Sequence, residues 1–151
     1  MIVVRTKSVE ETEKLGSIIG KFLRPKDVVA LVGDLGAGKT ALTRGIAKGM
    51  GIKEYVVSPT FTIINFYKGV VPFVHVDAYR VESEEELEEA GFSDFLDECA
   101  VVVEWADKVK NLLPDSSLWI DIYPVDTIER EFRIYGKTPL MSIIQKELMQ
   151  N

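Results

Sequence analysis

The chain has 151 residues, the size of one ordinary domain, and its 46% apolar and 28% charged residues are typical of a globular rather than a disordered protein. Its 24 acidic and 18 basic residues give a formal net charge of −6, which argues against strong sequence-independent binding to nucleic acid, because that needs a basic face. The apolar runs are far shorter than the roughly 20 residues that span a bilayer, and no secretory leader is visible. With one cysteine, Cys99, no internal disulfide can form, which is typical of a cytoplasmic protein. Together with the length and the short apolar runs, this leads us to expect a cytoplasmic protein with one domain over 1–151 and no membrane contact.

Strands and helices are predicted to alternate first, with hairpin-like strands after them, which indicates an α/β fold with a mixed sheet. The aliphatic runs Val28–Val32 and Ala100–Glu104 are typical of strands buried on both faces. A capping-box pattern, Ser8 with Glu11, marks the start of the first helix, and Pro72 indicates that its strand starts near a sheet edge. In chain order the predicted elements are a strand at 2–5, a helix at 8–23, a strand at 28–32, a helix from the glycine-rich turn to about 50, hairpin strands at 61–67 and 70–77, an acidic helix at 84–90, a strand at 100–104, antiparallel strands at 118–123 and 131–135, and a helix from 138 to about 149.

One motif carries phosphate-binding chemistry. The segment G-D-L-G-A-G-K-T at 33–40 matches G-x-x-x-x-G-K-[ST] at every fixed position, between a predicted strand and a predicted helix. Its glycines let several backbone N–H groups point at one place, and the helix start adds the positive end of a dipole. Lys39 supplies a charge for the β- and γ-phosphates, and the Thr40 hydroxyl can ligate Mg²⁺. The sequence therefore predicts a nucleotide site, and ATP is favoured because no N-K-x-D motif for guanine is found.

Two carboxylates at the ends of predicted strands are candidates for the metal or the attacking water. Glu104 ends the run from Ala100, and Asp77 ends the second strand of the predicted hairpin. Either side chain could hold Mg²⁺, directly or through water, or orient a water molecule. The alternative for each is an ordinary acidic residue at a strand end, and the pattern does not say which one is nearer the metal.

Several further residues have both a functional and a structural interpretation. The hydroxyls of Ser58–Thr62 could sense a γ-phosphate, although such residues are also common in loops. His75, the single histidine, is more often a packed strand residue than a catalyst. Trp105 fits either the core or the side of the site, and Arg80 either a phosphate contact or the surface. The acidic run Glu82–Glu89 is most simply a solvated helix face, and alternatively a docking face for a basic partner.

Four segments together resemble the TsaE (YjeE) family of small bacterial P-loop ATPases. They are G-D-L-G-A-G-K-T at 33–40, S-P-T-F at 58–61, H-V-D-A-Y-R at 75–80 and V-E-W at 103–105, and the similarity is weakest after Gly136. The resemblance implies a three-layer P-loop NTPase-type fold with a mixed, mainly parallel sheet. It also implies a role in forming N6-threonylcarbamoyladenosine beside the anticodon of tRNAs that read codons starting with A. In that role the ATPase would bind a TsaB–TsaD complex and support its turnover, and would contact tRNA only through these partners.

The resemblance also implies roles for individual residues. Thr40 and Glu104 would ligate or support Mg²⁺, and Asp77 would support the metal or the water. Trp105 would lie beside the catalytic carboxylate, and the start of the first helix would approach the adenine. The implied catalytic residues are Lys39, Asp77 and Glu104, and the implied nucleotide-binding residues are Val9, Thr12, Gly33, Leu35, Gly36, Ala37, Gly38, Lys39, Thr40, Thr60 and Arg130.

Two other functions stay open at this point. A small-molecule kinase usually has an arginine-rich lid, but the arginines after Arg80 are only Arg130 and Arg133. A nucleotide-sensing module without hydrolysis is less consistent with the presence of both Asp77 and Glu104. The predicted enzyme is therefore an ATP hydrolase that uses ATP and Mg²⁺, weak alone and stimulated by its partner complex.

Overall fold

The structure is a computed structural model that describes residues 1–34, 38–56 and 63–150. Helices and strands alternate through most of it, with 3₁₀ turns at Ala78–Arg80 and Ala106–Leu112. The elements are β1 (Ile2–Thr6), α1 (Val9–Gly20), β2 (Val28–Val32), α2 (Lys39–Gly49), β3 (Ile64–Tyr67), β4 (Phe73–Asp77), α3 (Glu84–Glu89), α4 (Phe92–Glu98), β5 (Ala100–Glu104), β6 (Leu118–Pro124), β7 (Arg130–Tyr135) and α5 (Leu140–Gln150).

The strands form one mixed sheet in the order β1-β7-β6-β2-β5-β4-β3. Its middle is parallel, because β2 pairs in parallel with both β5 and β6, and β4 pairs in parallel with β5. Antiparallel hairpins form both sides, β3 with β4 on one and β6 with β7 on the other, where β1 also joins β7. The predicted α/β fold with a mixed sheet is confirmed, and its parallel pairing is concentrated in the middle.

Helices cover both faces of the sheet. Along β2, Val29 and Leu31 pack against α1, α2 and α5, whereas Val28 and Ala30 pack on the other face with α3, α4 and the 106–112 turns. Because both faces of the sheet are covered, neither β2 nor β5 has a face exposed to solvent, which explains their continuous apolar sequences. The three-layer arrangement is thereby confirmed. No helix within the described ranges is both long and apolar enough to span a bilayer.

The predicted start of the first helix is confirmed by its cap geometry. Ser8 Oγ accepts a hydrogen bond from the Glu11 backbone N–H at 3.0 Å, which satisfies one of the N–H groups that a helix start leaves unpaired. The Glu11 carboxylate in turn accepts from the backbone N–H of Lys7 at 2.7 Å, one residue before the cap. The same arrangement begins α3 at Ser83.

Some elements differ from the sequence prediction. The edge strand is β3, not the strand that follows Pro72, because β4 lies between β5 and β3. Pro72 lies just before β4, whose strand pairs begin at Phe73, so none of those pairs requires a proline N–H, and the Pro72 carbonyl still accepts a hydrogen bond from the Ala100 N–H at 2.9 Å. The sequence prediction missed α4 and the 106–112 turns, because segments this short show too few helical periods. The start of the predicted strand at 61–67 lies partly outside the described residues.

Glycines set the close approach of α1 and α2. A Cβ built on Gly16 would lie 2.4 Å from the carbonyl oxygen of Leu42, and one built on Gly45 would lie 2.2 Å from that of Glu13. Each of these clashes is with a helix backbone atom, which cannot move away by changing rotamer as a flexible side chain can. Because α2 begins at Lys39, this contact holds in place the helix that carries the motif lysine.

Replacing Gly45 by alanine is therefore expected to lower the free energy of unfolding by about 1–3 kcal/mol, the range for overpacked interiors. The gain in helix propensity, about 1 kcal/mol, offsets only part of that strain. Lys14→Ala, an exposed change on α1, is the control and should stay within about 0.5 kcal/mol of the parent. Urea denaturation measures both variants. A Gly45→Ala protein as stable as the parent would contradict the backbone contact.

Candidate functional site

The motif lysine and the two candidate carboxylates lie at the carboxyl ends of the parallel strands. The motif follows β2, while β4 ends at Asp77 and β5 ends at Glu104, which are direct register partners. Side chains alternate along a strand, so Glu104 lies on the same face as Val102, which packs beneath α1 and α2. Both carboxylates therefore lie on the face of the sheet that α1 and α2 cover. Crevices at this end of parallel strands are where α/β proteins bind their ligands.

Lys39 is the first residue of α2 and is 5% exposed. Gly38, just before it, has φ +108°, a left-handed conformation that favours glycine, which explains one fixed glycine of the motif. The Lys39 Nζ donates hydrogen bonds to the carbonyl oxygen of Gly33 and, at 3.2 Å, to that of Asp34. The Lys39 side chain thus points back toward the first two residues of the motif, Gly33 and Asp34.

An aromatic ring and several carboxylates surround the same ammonium group. Lys39 Nζ lies 3.9 Å from the centroid of the Trp105 ring, a cation–π contact. Burial lowers the pKa of Lys39 below its ordinary value, and the negative charges of Glu104 and then Asp77 oppose that shift. These interactions show that the two strand-end acids and the lysine belong to one electrostatic site.

Glu104 and Asp77 are held by different partners. Glu104 is 4% exposed, and its Oε2 lies 2.5 Å from Nε2 of His75, which is completely buried. Asp77 Oδ1 accepts a hydrogen bond from the Tyr79 N–H at 3.0 Å and so caps the 3₁₀ turn that follows β4. His75 is therefore packed and hydrogen-bonded, as its structural interpretation expects, and its partner is the candidate carboxylate.

Trp105 lies beside the site in a backbone conformation that non-glycine residues rarely adopt. Its φ of 59° and ψ of 41° are left-handed, at a cost of about 1–2 kcal/mol. Its ring packs on Tyr79 with centroids 5.0 Å apart, and the Tyr79 carbonyl accepts a hydrogen bond from Lys108 Nζ at 2.7 Å. The sequence analysis did not single out Tyr79 as a partner of this ring, because their contact depends on how β4 and β5 are paired.

Three further residues were expected along the nucleotide, Val9 and Thr12 near the adenine and Arg130 elsewhere in the site, and the structure brings them together only in part. A Cβ built on Gly38 would lie 3.8 Å from Cγ of Arg130, so the Arg130 side chain passes beside the end of the motif. Arg130 pairs in register with Thr6, whose hydroxyl lies 2.7 Å from the buried hydroxyl of Thr12. Val9, at the start of α1, is exposed. Arg130 and Val9 are thus accessible to a nucleotide, while the Thr12 hydroxyl already has a protein partner.

The remaining predictions divide between described and undescribed residues. Thr40, the second residue of α2, is half-buried at the helix start, and Arg80 is exposed, which agrees with its surface interpretation. The acidic run contributes to structure at Glu84, whose carboxylate accepts from the backbone N–H of Asn111 at 2.9 Å. The predicted phosphate-contacting residues Leu35, Gly36, Ala37 and Thr60, with the rest of Ser58–Thr62, lie outside the described residues.

The oxygen donors at this site are of the kind that bind Mg²⁺ in nucleotide sites, where the protein supplies only one or two of the metal ligands. Among the residues described here, no group of three or more histidine, cysteine, aspartate or glutamate side chains could hold a metal ion. Mg²⁺ in nucleotide sites needs fewer protein ligands, because phosphate oxygens and water complete its octahedron. The Glu104 carboxylate and the Thr40 hydroxyl are hard oxygen donors of the required kind.

Comparisons with known proteins identify the family of this chain. The family model described as threonylcarbamoyl adenosine biosynthesis protein TsaE matches residues 6–132, which include the motif, both carboxylates and Arg130. The chain is 44% identical over 129 residues to the tRNA threonylcarbamoyladenosine biosynthesis protein TsaE of Bacillus subtilis strain 168, covering 84% of this chain and 80% of that protein. It is 34% identical over 130 residues to TsaE of Treponema pallidum strain Nichols, covering 85% and 96%.

A solved structure supports the same assignment. The crystal structure of YdiB from Bacillus subtilis superposes with a TM-score of 0.79 at 33% sequence identity, covering 99% of this chain and 94% of that chain. Fold and sequence therefore agree over most of the chain. The chain belongs to the TsaE family, and its role is in the biosynthesis of threonylcarbamoyladenosine in tRNA.

Proposed function

We propose that this chain is a Mg²⁺-dependent ATPase that binds a TsaB–TsaD complex and supports its turnover during threonylcarbamoyladenosine formation. The observation that carries the proposal is the convergence of Lys39, Glu104 and Asp77 at the carboxyl ends of the parallel strands, where a complete phosphate-binding motif follows β2 in the sequence. The tRNA-modification pathway is inferred from the family membership, and ATP hydrolysis is inferred from the residues of the site.

Each residue has a distinct task in this proposal. Lys39 and the N–H groups at the start of α2 bind the β- and γ-phosphate oxygens. Thr40 and Glu104 hold Mg²⁺, which when bound neutralises charge on those oxygens. Asp77 orients the attacking water or a water ligand of the metal. Trp105 covers the lysine from the side and restricts water there.

The proposal expects weak hydrolysis without a partner. Arg80 is exposed, and the guanidinium of Arg130 donates to the carbonyl oxygens of Asp126 at 3.0 Å and Glu129 at 3.1 Å, within its own hairpin. The proposal therefore assigns the stabilisation of the transferring phosphoryl group, a role that accelerates other P-loop enzymes by roughly 10³–10⁵-fold, to the state docked on the partner complex. Docking on the partner complex would complete the site. The net charge of −6 is consistent with tRNA contact through the partners rather than through this chain.

The experiment compares docking with each nucleotide. If ATP favours the docked state, the partner must tighten ATP binding by the same factor, because the two equilibria are linked. We expect the TsaB–TsaD complex to bind more tightly with ATP than with ADP and to raise the rate of phosphate release. Sedimentation and surface-binding affinities, with phosphate release in the presence and absence of the complex, provide the measurements. Equal affinity with ATP, ADP and no nucleotide, together with unchanged turnover, would refute the coupling.

Thr60 gives this experiment a specific variant. The proposal places its hydroxyl in a loop that responds to the γ-phosphate, so Thr60→Ala should reduce the ATP preference of docking more than it reduces ADP binding. Thr43→Ser is the matched control on α2, because it keeps the hydroxyl that donates to the Lys39 carbonyl oxygen at 2.7 Å. Docking by the control should keep its nucleotide dependence. An unchanged ATP preference in Thr60→Ala would remove Thr60 from the coupling.

A further inference from the structure

A buried histidine contacts the candidate metal-ligating carboxylate from the neighbouring strand. His75 Nε2 and Glu104 Oε2 are 2.5 Å apart, and the two residues are 0% and 4% exposed. Asp77 is the register partner of Glu104, so His75 reaches it diagonally from two residues earlier on β4. The imidazole ring spans this diagonal, which a shorter side chain such as that of asparagine would not reach.

The direction of this hydrogen bond follows from the partners. An ionised carboxylate can only accept, so we assign the N–H to Nε2, which donates the hydrogen bond to Glu104 Oε2. His75 Nδ1 is buried and has no hydrogen-bond partner among the described residues. Among the described residues, the ring is therefore hydrogen-bonded through Nε2, and its partner there is Glu104.

We propose that His75 is a positioning residue, which holds one oxygen of Glu104 so that the carboxylate presents its other oxygen to the metal beyond the end of β5. This inference rests on the proposed function, in which Glu104 ligates or supports Mg²⁺. Without its partner, the carboxylate of a strand-end residue can adopt other rotamers, and the metal site loses its orientation. Groups that orient metal ligands in this way change metal affinity or activity by about 10–100-fold when they are removed.

The two acids of the site are thus oriented by different means. Asp77 is fixed by a backbone N–H of the turn that follows it, so a change at His75 leaves that hydrogen bond in place. Glu104 depends on a side chain from another strand. A substitution at position 75 therefore separates the orientation of Glu104 from that of Asp77.

The test uses His75→Leu, with Phe73→Leu as its matched control. Phe73 lies on the same strand and the same face as His75 and is equally buried, but it belongs to the apolar core. Both variants replace a buried ring by leucine, so both report the structural cost by thermal denaturation. ATP affinity is measured by calorimetry with Mg²⁺ and with EDTA, and hydrolysis is measured with the TsaB–TsaD complex present.

We expect His75→Leu to lower hydrolysis by about 10–100-fold. The same variant should lose most of the gain in ATP affinity that Mg²⁺ provides, while its affinity in EDTA stays unchanged. Phe73→Leu should keep both the rate and the Mg²⁺-dependent gain. If His75→Leu keeps them as well, or if the two leucine variants lose them equally, the positioning role is wrong.

A second pair of variants keeps the test decisive if the leucine variant does not fold. His75→Gln retains an amide N–H near the position of Nε2, whereas the shorter His75→Asn does not reach Glu104. Activity retained in the glutamine variant and lost in the asparagine variant supports positioning, and equal activity overturns it. In a Glu104→Ala background, His75→Leu should have no further effect on the rate or on the Mg²⁺-dependent affinity, because no side chain remains at position 104 for His75 to orient. A further loss there would contradict the inference.

Failure of the ATPase proposal would look different. A parent protein that releases no phosphate even with the partner complex would contradict the proposed function alone. The Mg²⁺-dependent part of ATP affinity would then still decide the role of His75, since it needs no turnover.

Discussion

Lys39→Ala is expected to weaken ATP binding on the order of 10- to 100-fold, as the loss of charge-assisted hydrogen bonds worth about 1.5–3 kcal/mol implies. The lysine is 5% exposed at the start of α2, next to Gly38, where in the proposed function its charge and the positive end of the helix dipole would act on the same phosphate oxygens. Isothermal titration with ATP and ADP measures the effect. The loss should be larger for ATP, because Lys39 reaches the γ- as well as the β-phosphate.

Lys48→Ala is the matched control for this prediction. Lys48 belongs to the last turn of the same helix, is exposed, and forms a surface ion pair with Glu13 at 3.3 Å. Such pairs contribute little to stability, so the control should bind ATP as the parent does. Circular dichroism confirms that both variants fold. Unchanged ATP affinity together with unchanged hydrolysis in Lys39→Ala would refute the phosphate-binding assignment.

The parts of the fold that were predictable from sequence are those with local signals. The continuous aliphatic runs of β2 and β5 indicated strands covered on both faces, and the cap at Ser8 marked the start of α1. The phosphate-binding motif needs only its own eight positions and the flanking strand and helix, so Lys39 and Thr40 were assigned directly. Each of these signals is contained within about one element.

What sequence reasoning missed depends on how distant elements meet. The pairing of His75 with Glu104 follows from the parallel register of β4 and β5, which no local pattern contains. The wrong edge assignment at Pro72 has the same origin, since only the strand pairing shows that Pro72 lies just outside β4 and that β3 forms the edge. The contact of Gly16 with the backbone of α2 is likewise visible only once the helices are packed. The available sequence signal was a pair of glycines four residues apart in each of α1 and α2. That spacing indicates a close contact only when it is known that the two helices pack against each other.

Glu104→Ala is expected to lower hydrolysis by at least about 100-fold while leaving ATP affinity in EDTA unchanged. The metal contributes several kcal/mol to transition-state charge stabilisation, and each 1.36 kcal/mol is a factor of ten in rate. The phosphate contacts come from other groups, Lys39 and the start of α2, so binding without metal does not need the carboxylate. Phosphate release with the partner complex and calorimetry in EDTA separate the two effects.

The alanine change has a second consequence that the design must control. It leaves the buried Nε2–H of His75 without its acceptor, at a cost of about 1–3 kcal/mol in folding free energy. Glu104→Gln keeps an acceptor for His75 and removes only the charge, so a rate loss shared by both variants belongs to the chemistry rather than to folding. At the second acid, Asp77→Asn keeps an acceptor for the Tyr79 N–H, whereas Asp77→Ala does not. Both Asp77 variants should slow hydrolysis, and the asparagine variant should keep the stability of the parent. If neither the Glu104 nor the Asp77 changes slow phosphate release, both acids are structural, and the metal must be held elsewhere.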